Sequence, residues 1–545
     1  MEGAYDFPLE YKRIYTKERQ TTLDRYHSDL IKSYIHSRRT MHSNLDTNFS
    51  LDKNEPDIDI IAEMNKTISL IKKQEINRAN IFGIIQNNQN KNDLLQKNLR
   101  KISKELIKEN IPLTTIKSIL NNNVQKYIEE MIELLDRNIQ LECLCIINNL
   151  VFYIAKYNIV SIDINRISNL LCDYFLKIQN LEEKSSLIEK IYRIFGNLIS
   201  INNKIIIQAL VNKGLLDRII YSLNHPVLSC RIACLWLLNK IILSLRKLNS
   251  FLYFNHFISK DAINIYISLF SRIKKSFNLE EISEFFWLIN ELAKNYSFIL
   301  TFIFFSNIRD INNISQTQIE NSIDNFSFVL NNSLTNKMFQ TSFRLISNLL
   351  AICKNEIQNE YLLNRLIECF FEKKNILSFL NDIINSPKNK YDISIVKDAI
   401  LLIFNLICLS PIKSCIYFKK GIVNLISDKE YQVNKEVMRL LYKTFYRIIY
   451  GNRYSFESND EKVIRTCLSI FKRFREDENM LLIFIDILYS YLEASKTNID
   501  NETEEELEVF KQAQDLDIEK YQYMFLKLAN IANKYSPLSK YMRNI

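Results

Sequence analysis

The chain has 545 residues and a formal net charge of +9, with 47% hydrophobic and 24% charged residues; this is the composition of a folded protein long enough for several domains or one long repeat array. Only six Gly and seven Pro occur, which argues against sheet-rich folds and phosphate-binding loops, because both spend these residues on tight turns. The basic residues are interspersed with 62 acids and form no long block, so direct nucleic-acid binding is not expected.

Residues 1–44 form a basic arm. Leu23, Tyr26, Leu30, Tyr34 and Met41 follow helical spacing, and Lys12, Arg13, Lys17, Arg19, Arg25, Lys32, Arg38 and Arg39 surround them with positive charge. Such an amphipathic basic helix suits an acidic partner or a membrane surface. The opening Met1-Glu2-Gly3-Ala4 lacks the apolar core of a secretory signal. Residues 45–59 are polar and acidic with Pro56, which predicts a linker. From residue 60 to 536 apolar residues recur at intervals of three and four with few breakers, which predicts a continuous helical array, followed by a tail over 537–545.

Within the array, Phe298 to Phe305 and Ala399 to Leu409 are apolar runs. Both are far short of the roughly 20 residues a bilayer requires, so buried helices and no membrane insertion are expected. Ile308 to Lys337 is rich in Asn, Ser and Gln and reads as the largest insertion. Near the end, Asp500, Glu502, Glu504, Glu505, Glu506 and Glu508 precede a last helix around Ile518 to Lys534. The ten cysteines, among them Cys143, Cys145, Cys230, Cys234, Cys408 and Cys415, form no CxxC pair, and five His are too few to complete a zinc site. Buried reduced thiols and no cofactor are the expectation. With no GxGxxG, phosphate loop, nucleophile elbow or HExxH, the sequence predicts no enzyme.

A repeat grammar runs through the array. A residue able to turn left-handed opens a unit and an Asn recurs near its end: Asn123 to Asn149, Gly214 to Asn239, and a third start at Gly421. The aligned Asn residues are Asn149, Asn197, Asn239, Asn290, Asn348 and Asn405. Their separations of about 42 to 58 residues lie near the roughly 40 to 47 of armadillo and HEAT repeats. About eight to ten such repeats fit the array.

The stretch from Leu99 to Pro112, continuing through Val124-Gln-Lys-Tyr-Ile-Glu and Leu141-Glu-Cys-Leu-Cys-Ile-Ile-Asn-Asn149-Leu, resembles the importin α family where it enters its first armadillo repeats. Glu142 and Asn149 match that family's Glu and Asn, and Ser37-Arg38-Arg39-Thr40 echoes its Lys-Arg-Arg-Asn arm. The resemblance implies a right-handed superhelical armadillo solenoid with a basic N-terminal helical arm. It also implies a nuclear-import adaptor of cytoplasm and nucleus. In such an adaptor the six aligned Asn residues grip the main chain of cargo proteins with extended basic signals, the arm residues named above dock importin β, and the acidic C-terminal region contributes to a nuclear export receptor site.

Four positions before each Asn, where the family often has Trp, stand Cys145, Arg193, Leu235, Phe286, Arg344 and Leu401, and Ile201 stands where the family places a lysine-pairing acid. Trp236 and Trp287 lie three before Asn239 and Asn290, about 100° round the helix, which predicts core packing for both. The competing reading is an armadillo scaffold for cytoskeletal, membrane or signalling partners.

Overall fold

The computed structural model describes residues 85–451 apart from connecting intervals, the longest being 122–136 and 306–315, together with Ala62, Lys66 and Thr67. Among the described residues every regular element is helical. The chain divides by its packing into two compact units, Met1–Leu170 and Leu171–Ile545. The first contains α1 (Ile85–Glu105), α2 (Leu113–Asn121) and α3 (Arg137–Tyr157), with α1 and α2 both packed on α3. Helix α4 (Ile164–Lys177) spans the boundary between the units.

In the second unit, long helices recur with shorter ones between them. These long helices are α5 (Ser185–Ile201), α8 (Leu228–Lys247), α11 (Leu279–Ala293), α14 (Asn336–Asn355), α17 (Ile393–Leu409) and α19 (Lys435–Gly451), each packed on the next. Between them lie α6 (Asn203–Asn212) and α7 (Leu215–Tyr221), α9 (Phe254–Phe257) and α10 (Lys260–Ser271), α12 (Phe298–Phe305) and α13 (Gln316–Asn331), α15 (Glu360–Glu372) and α16 (Asn375–Asn385), and α18 (Pro411–Ile426). A short pair of helices followed by a longer third, repeated and stacked, is the anatomy of an armadillo-like solenoid.

Local chemistry explains the helix boundaries. Gly214 sits at φ 65° between α6 and α7, a left-handed conformation that an L side chain adopts at a cost and Gly does not. Ser259 caps α10 by accepting from the Ala262 amide, and Asn278 caps α11 by accepting from the Glu281 amide. Glu280 and Glu281 add negative charge in that first turn, where the helix dipole favours it. Asn434 caps α19 through the amides of Glu436 and Val437.

The core is largely aliphatic, with an aromatic cluster where α10, α11, α12 and α13 meet. Phe304 stands 4.8 Å from Phe270 and 5.0 Å from Phe326, whose ring is 5.7 Å from Phe286. The apolar run Phe298–Phe305 is therefore the buried helix α12, and Ala399–Leu409 lies within α17, as expected. Helix α8 is long and apolar enough to cross a membrane by length and composition; here it is packed between α5 and α11.

Two expectations are corrected. The polar stretch read as an insertion contains α13, because Ile319, Ile323, Phe326 and Leu330 are spaced to bury one helical face. Gly421 does not open a repeat; it lies inside α18, where an added Cβ would stand 2.4 Å from Ile384 Cδ1 of α16. Its smallness lets two helices approach, so its role is packing rather than turning.

Candidate interaction face on the long helices

In the second unit the partly exposed side chains of α5, α8, α14, α17 and α19 fall on one stripe per helix, whereas α11 is buried throughout from Glu281 to Ala293. On α14 the stripe is Gln340, Arg344, Asn348 and Ala351; on α17 it is Ser394, Lys397, Leu401, Asn405 and Cys408; on α19 it is Glu436, Arg439, Lys443 and Arg447. Spacing of three and four places each set on one helical face. Cross-helix bonds join the stripes. Gln340 Nε2 donates to Ser394 Oγ at 2.6 Å, Arg344 Nε pairs with Asp398 Oδ2 at 2.9 Å, and Lys397 pairs with Glu436.

The aligned Asn residues divide by environment. Asn239 and Asn290 are 1% and 2% exposed. The Asn239 amide donates to the Glu284 carbonyl oxygen at 3.1 Å and to its carboxylate at 2.8 Å, and Asn290 donates to the Thr341 carbonyl oxygen at 3.1 Å. These two amides join one long helix to the next. Asn348 and Asn405 are half-buried and donate to Asn290 Oδ1 at 3.2 Å and the Ser347 carbonyl oxygen at 3.4 Å. Asn197 is half-buried on α5. In the first unit Asn149, also half-buried, donates to the Ser103 carbonyl oxygen at 3.4 Å, and Glu142 pairs with Arg100 at 3.1 Å.

Trp287 is 7% exposed, as core packing predicts. Trp236 differs: it is partly exposed, and its ring lies against Gly196 of α5, where a Cβ would meet Trp236 Cζ3 at 2.0 Å. Lys240, one turn on, places its ammonium 5.7 Å from the Trp236 ring centroid and 3.5 Å from Ser200 Oγ. The chain thus supplies its own cation to this aromatic face. Leu235 and Phe286, at the aligned family positions, are fully buried.

A second feature of these helices escaped sequence reasoning: ion pairs between neighbours. Arg231 Nε and Nη2 reach the two Glu281 oxygens at 2.5 and 3.1 Å, with side chains 10% and 8% exposed, and Arg231 Nη1 donates to the carbonyl oxygens of His225 and Pro226. Arg246 Nη1 binds Glu291 Oε2 at 2.7 Å. Arg193, which stands where the importin α family often has Trp, pairs within its helix with Glu189 at 3.0 Å; burial pushes its guanidinium down to about 10, still protonated at neutral pH. Burial also pushes the Glu284 carboxyl up to about 7, against the hydrogen bond from Asn239, which lowers it. The thiols of Cys172 and Cys230 are pushed up to about 12 by burial, so they stay protonated.

Among the described residues no His, Cys, Asp and Glu group could hold a metal ion. The arm residues Lys12, Arg13, Lys17, Arg19, Arg25, Lys32, Arg38 and Arg39, the linker over 45–59, the repeat start at Asn123 and the acidic cluster over 500–508 lie outside the described residues.

No protein-family model matches the sequence, and no curated protein matches it. Among solved structures, an engineered protein from the Northeast Structural Genomics Consortium is similar at a TM-score of 0.51 and 12% identity, over 86% of this chain and 98% of that one. A designed armadillo repeat protein, and another in complex with peptide (KR)4, each match at 16% identity over 51% of this chain and 99% of theirs, with TM-scores of 0.33 and 0.31. The first likeness is one of fold. With the three-helix repeat anatomy, it makes the chain an all-α solenoid of armadillo-like repeats.

Proposed function

We propose that the chain is a non-catalytic protein-binding scaffold that holds an extended segment of a partner along the stripe side of its long helices. The carrying observation is the set of half-buried amides, Asn348 and Asn405, on stripes that cross-helix bonds join into one surface. A primary amide offers two donors and an acceptor, so a side chain that already makes one bond can still pair with a peptide main chain without reading its side chains. Solenoids present such surfaces because each repeat contributes an equivalent helix face.

The more specific reading is a nuclear-import adaptor moving between cytoplasm and nucleus. It is favoured by the resemblance around Glu142 and Asn149, by the half-buried positions of Asn149, Asn197, Asn348 and Asn405, and by the order of basic arm, linker and array. In this reading the arm docks importin β and the array carries cargo. The alternative is a scaffold for cytoskeletal, membrane or signalling proteins. Affinity capture from cell extract with the full chain, and with a variant in which Arg38 and Arg39 are both changed to Glu, separates them. Retention of an importin β by the parent chain, weakened in the variant, supports the adaptor. Capture of cytoskeletal or membrane proteins with no import receptor supports the alternative.

A further inference from the structure

On α8, Ser229, Trp236 and Leu243 are partly exposed and recur every two turns, which sets them on one helical face, and Lys240 stands on that face between the last two. Gly196 lets the Trp236 ring in against α5, since a Cβ there would stand 2.0 Å from Trp236 Cζ3. Lys240 is only 9% exposed. Its ammonium lies 5.7 Å from the ring centroid and 3.5 Å from Ser200 Oγ of α5. The buried Glu284 of α11 is within electrostatic reach: burial, the largest influence, raises its carboxyl, and the charge of Lys240 is among the smaller ones that lower it. A Lys on a helix surface ordinarily extends its ammonium into water. Here the ammonium is drawn in among an aromatic face, a hydroxyl and a carboxyl, which are the components of a site for a primary ammonium.

We propose that Trp236, Ser200 and Glu284 form a slot for one primary ammonium and that Lys240 fills it as a tethered occupant. A lysine side chain of a partner segment is the ligand this chemistry fits, and it enters only by displacing Lys240. Because Lys240 is held one helical turn from the ring, its effective concentration there is on the order of millimolar or higher, and the closed state prevails over a dilute partner. The chain therefore does not select Lys from a segment lying across α5 and α8, although an aromatic face is present there. The slot is built on a Trp out of register with the importin α pattern, and it is closed from within. The inference rests on the reading that the stripe side of the long helices is the binding face.

The test is fluorescence anisotropy at pH 8 and low salt with the full-length chain and a labelled oligolysine peptide. Lys240→Ala is expected to tighten its binding at least about fivefold, with unchanged helical circular dichroism. The gain is expected to vanish when Trp236→Leu is added, and to be largely absent in Lys240→Met, whose apolar stem still covers the ring. Lys240→Gln is a gentler second variant, expected to show a smaller gain that also depends on Trp236. In a Trp287→Phe background, acrylamide quenching of Trp236 is expected to rise on Lys240→Ala and to fall again when oligolysine is added. No gain in either folded variant overturns the proposal. So does a gain that persists without the ring or that Lys240→Met reproduces in full, because it reports only the loss of one positive charge. A partner captured from extract that is lost on Asn348→Ala with Asn405→Ala, with no oligolysine gain on Lys240→Ala, would sink the slot alone and leave the binding face standing.

Discussion

Glu284 shows how one buried side chain couples the array to pH. Burial disfavours its ionised form and pushes the carboxyl from its ordinary 4.5 to about 7. The folded state therefore holds this proton more tightly than the unfolded state. The group's contribution to stability is complete below about pH 4.5, is lost as pH rises through about 7, and amounts to on the order of 3 kcal/mol. Glu284→Gln keeps an acceptor for Asn239 without the charge, so it is expected to remove this slope and raise stability at pH 8, measured by urea unfolding across pH. Arg231 makes the opposite case: Arg231→Ala would leave Glu281 buried without its guanidinium, and a loss of about 3–5 kcal/mol is expected in the same measurement. At Gly196 the objection is steric. Gly196→Val would drive a side chain into the Trp236 ring, and a loss of at least about 1–3 kcal/mol is expected.

At the scale of elements, the helical periods were legible because apolar residues at three and four survive even in polar sequence. The helix α13 was nevertheless missed: its Asn, Ser and Gln residues obscured Ile319, Ile323, Phe326 and Leu330. Phe326→Ala is expected to cost about 3–5 kcal/mol, because its ring joins those of Phe286 and Phe304. An inserted loop would have tolerated the change. The aligned Asn positions were readable as a period but not as an environment. Helix α8 is apolar on nearly every side, so its sequence could not tell that Asn239 is buried and Trp236 partly exposed. The cross-helix ion pairs were illegible for a different reason. Arg231 and Glu281, or Arg344 and Asp398, are about fifty residues apart and meet only because consecutive long helices stack.

For the whole molecule, the long helices carry two kinds of polar residue. Buried ones, such as Asn239, Asn290, Arg231 and Glu281, bind repeat to repeat, and half-buried ones, such as Asn348 and Asn405, lie where a partner can reach them. The fold followed from composition and period, whereas this division needed the neighbouring helices in place. The central claim is that partners lie along the stripe side. The most direct test is site-specific photocrosslinking in the full-length chain, with a benzophenone side chain at position 348 or, as a control, at position 252, where Leu252 is 83% exposed beyond the end of α8. The account predicts that a captured partner crosslinks from position 348 and not from 252. Crosslinking from 252 with none from 348 would contradict it.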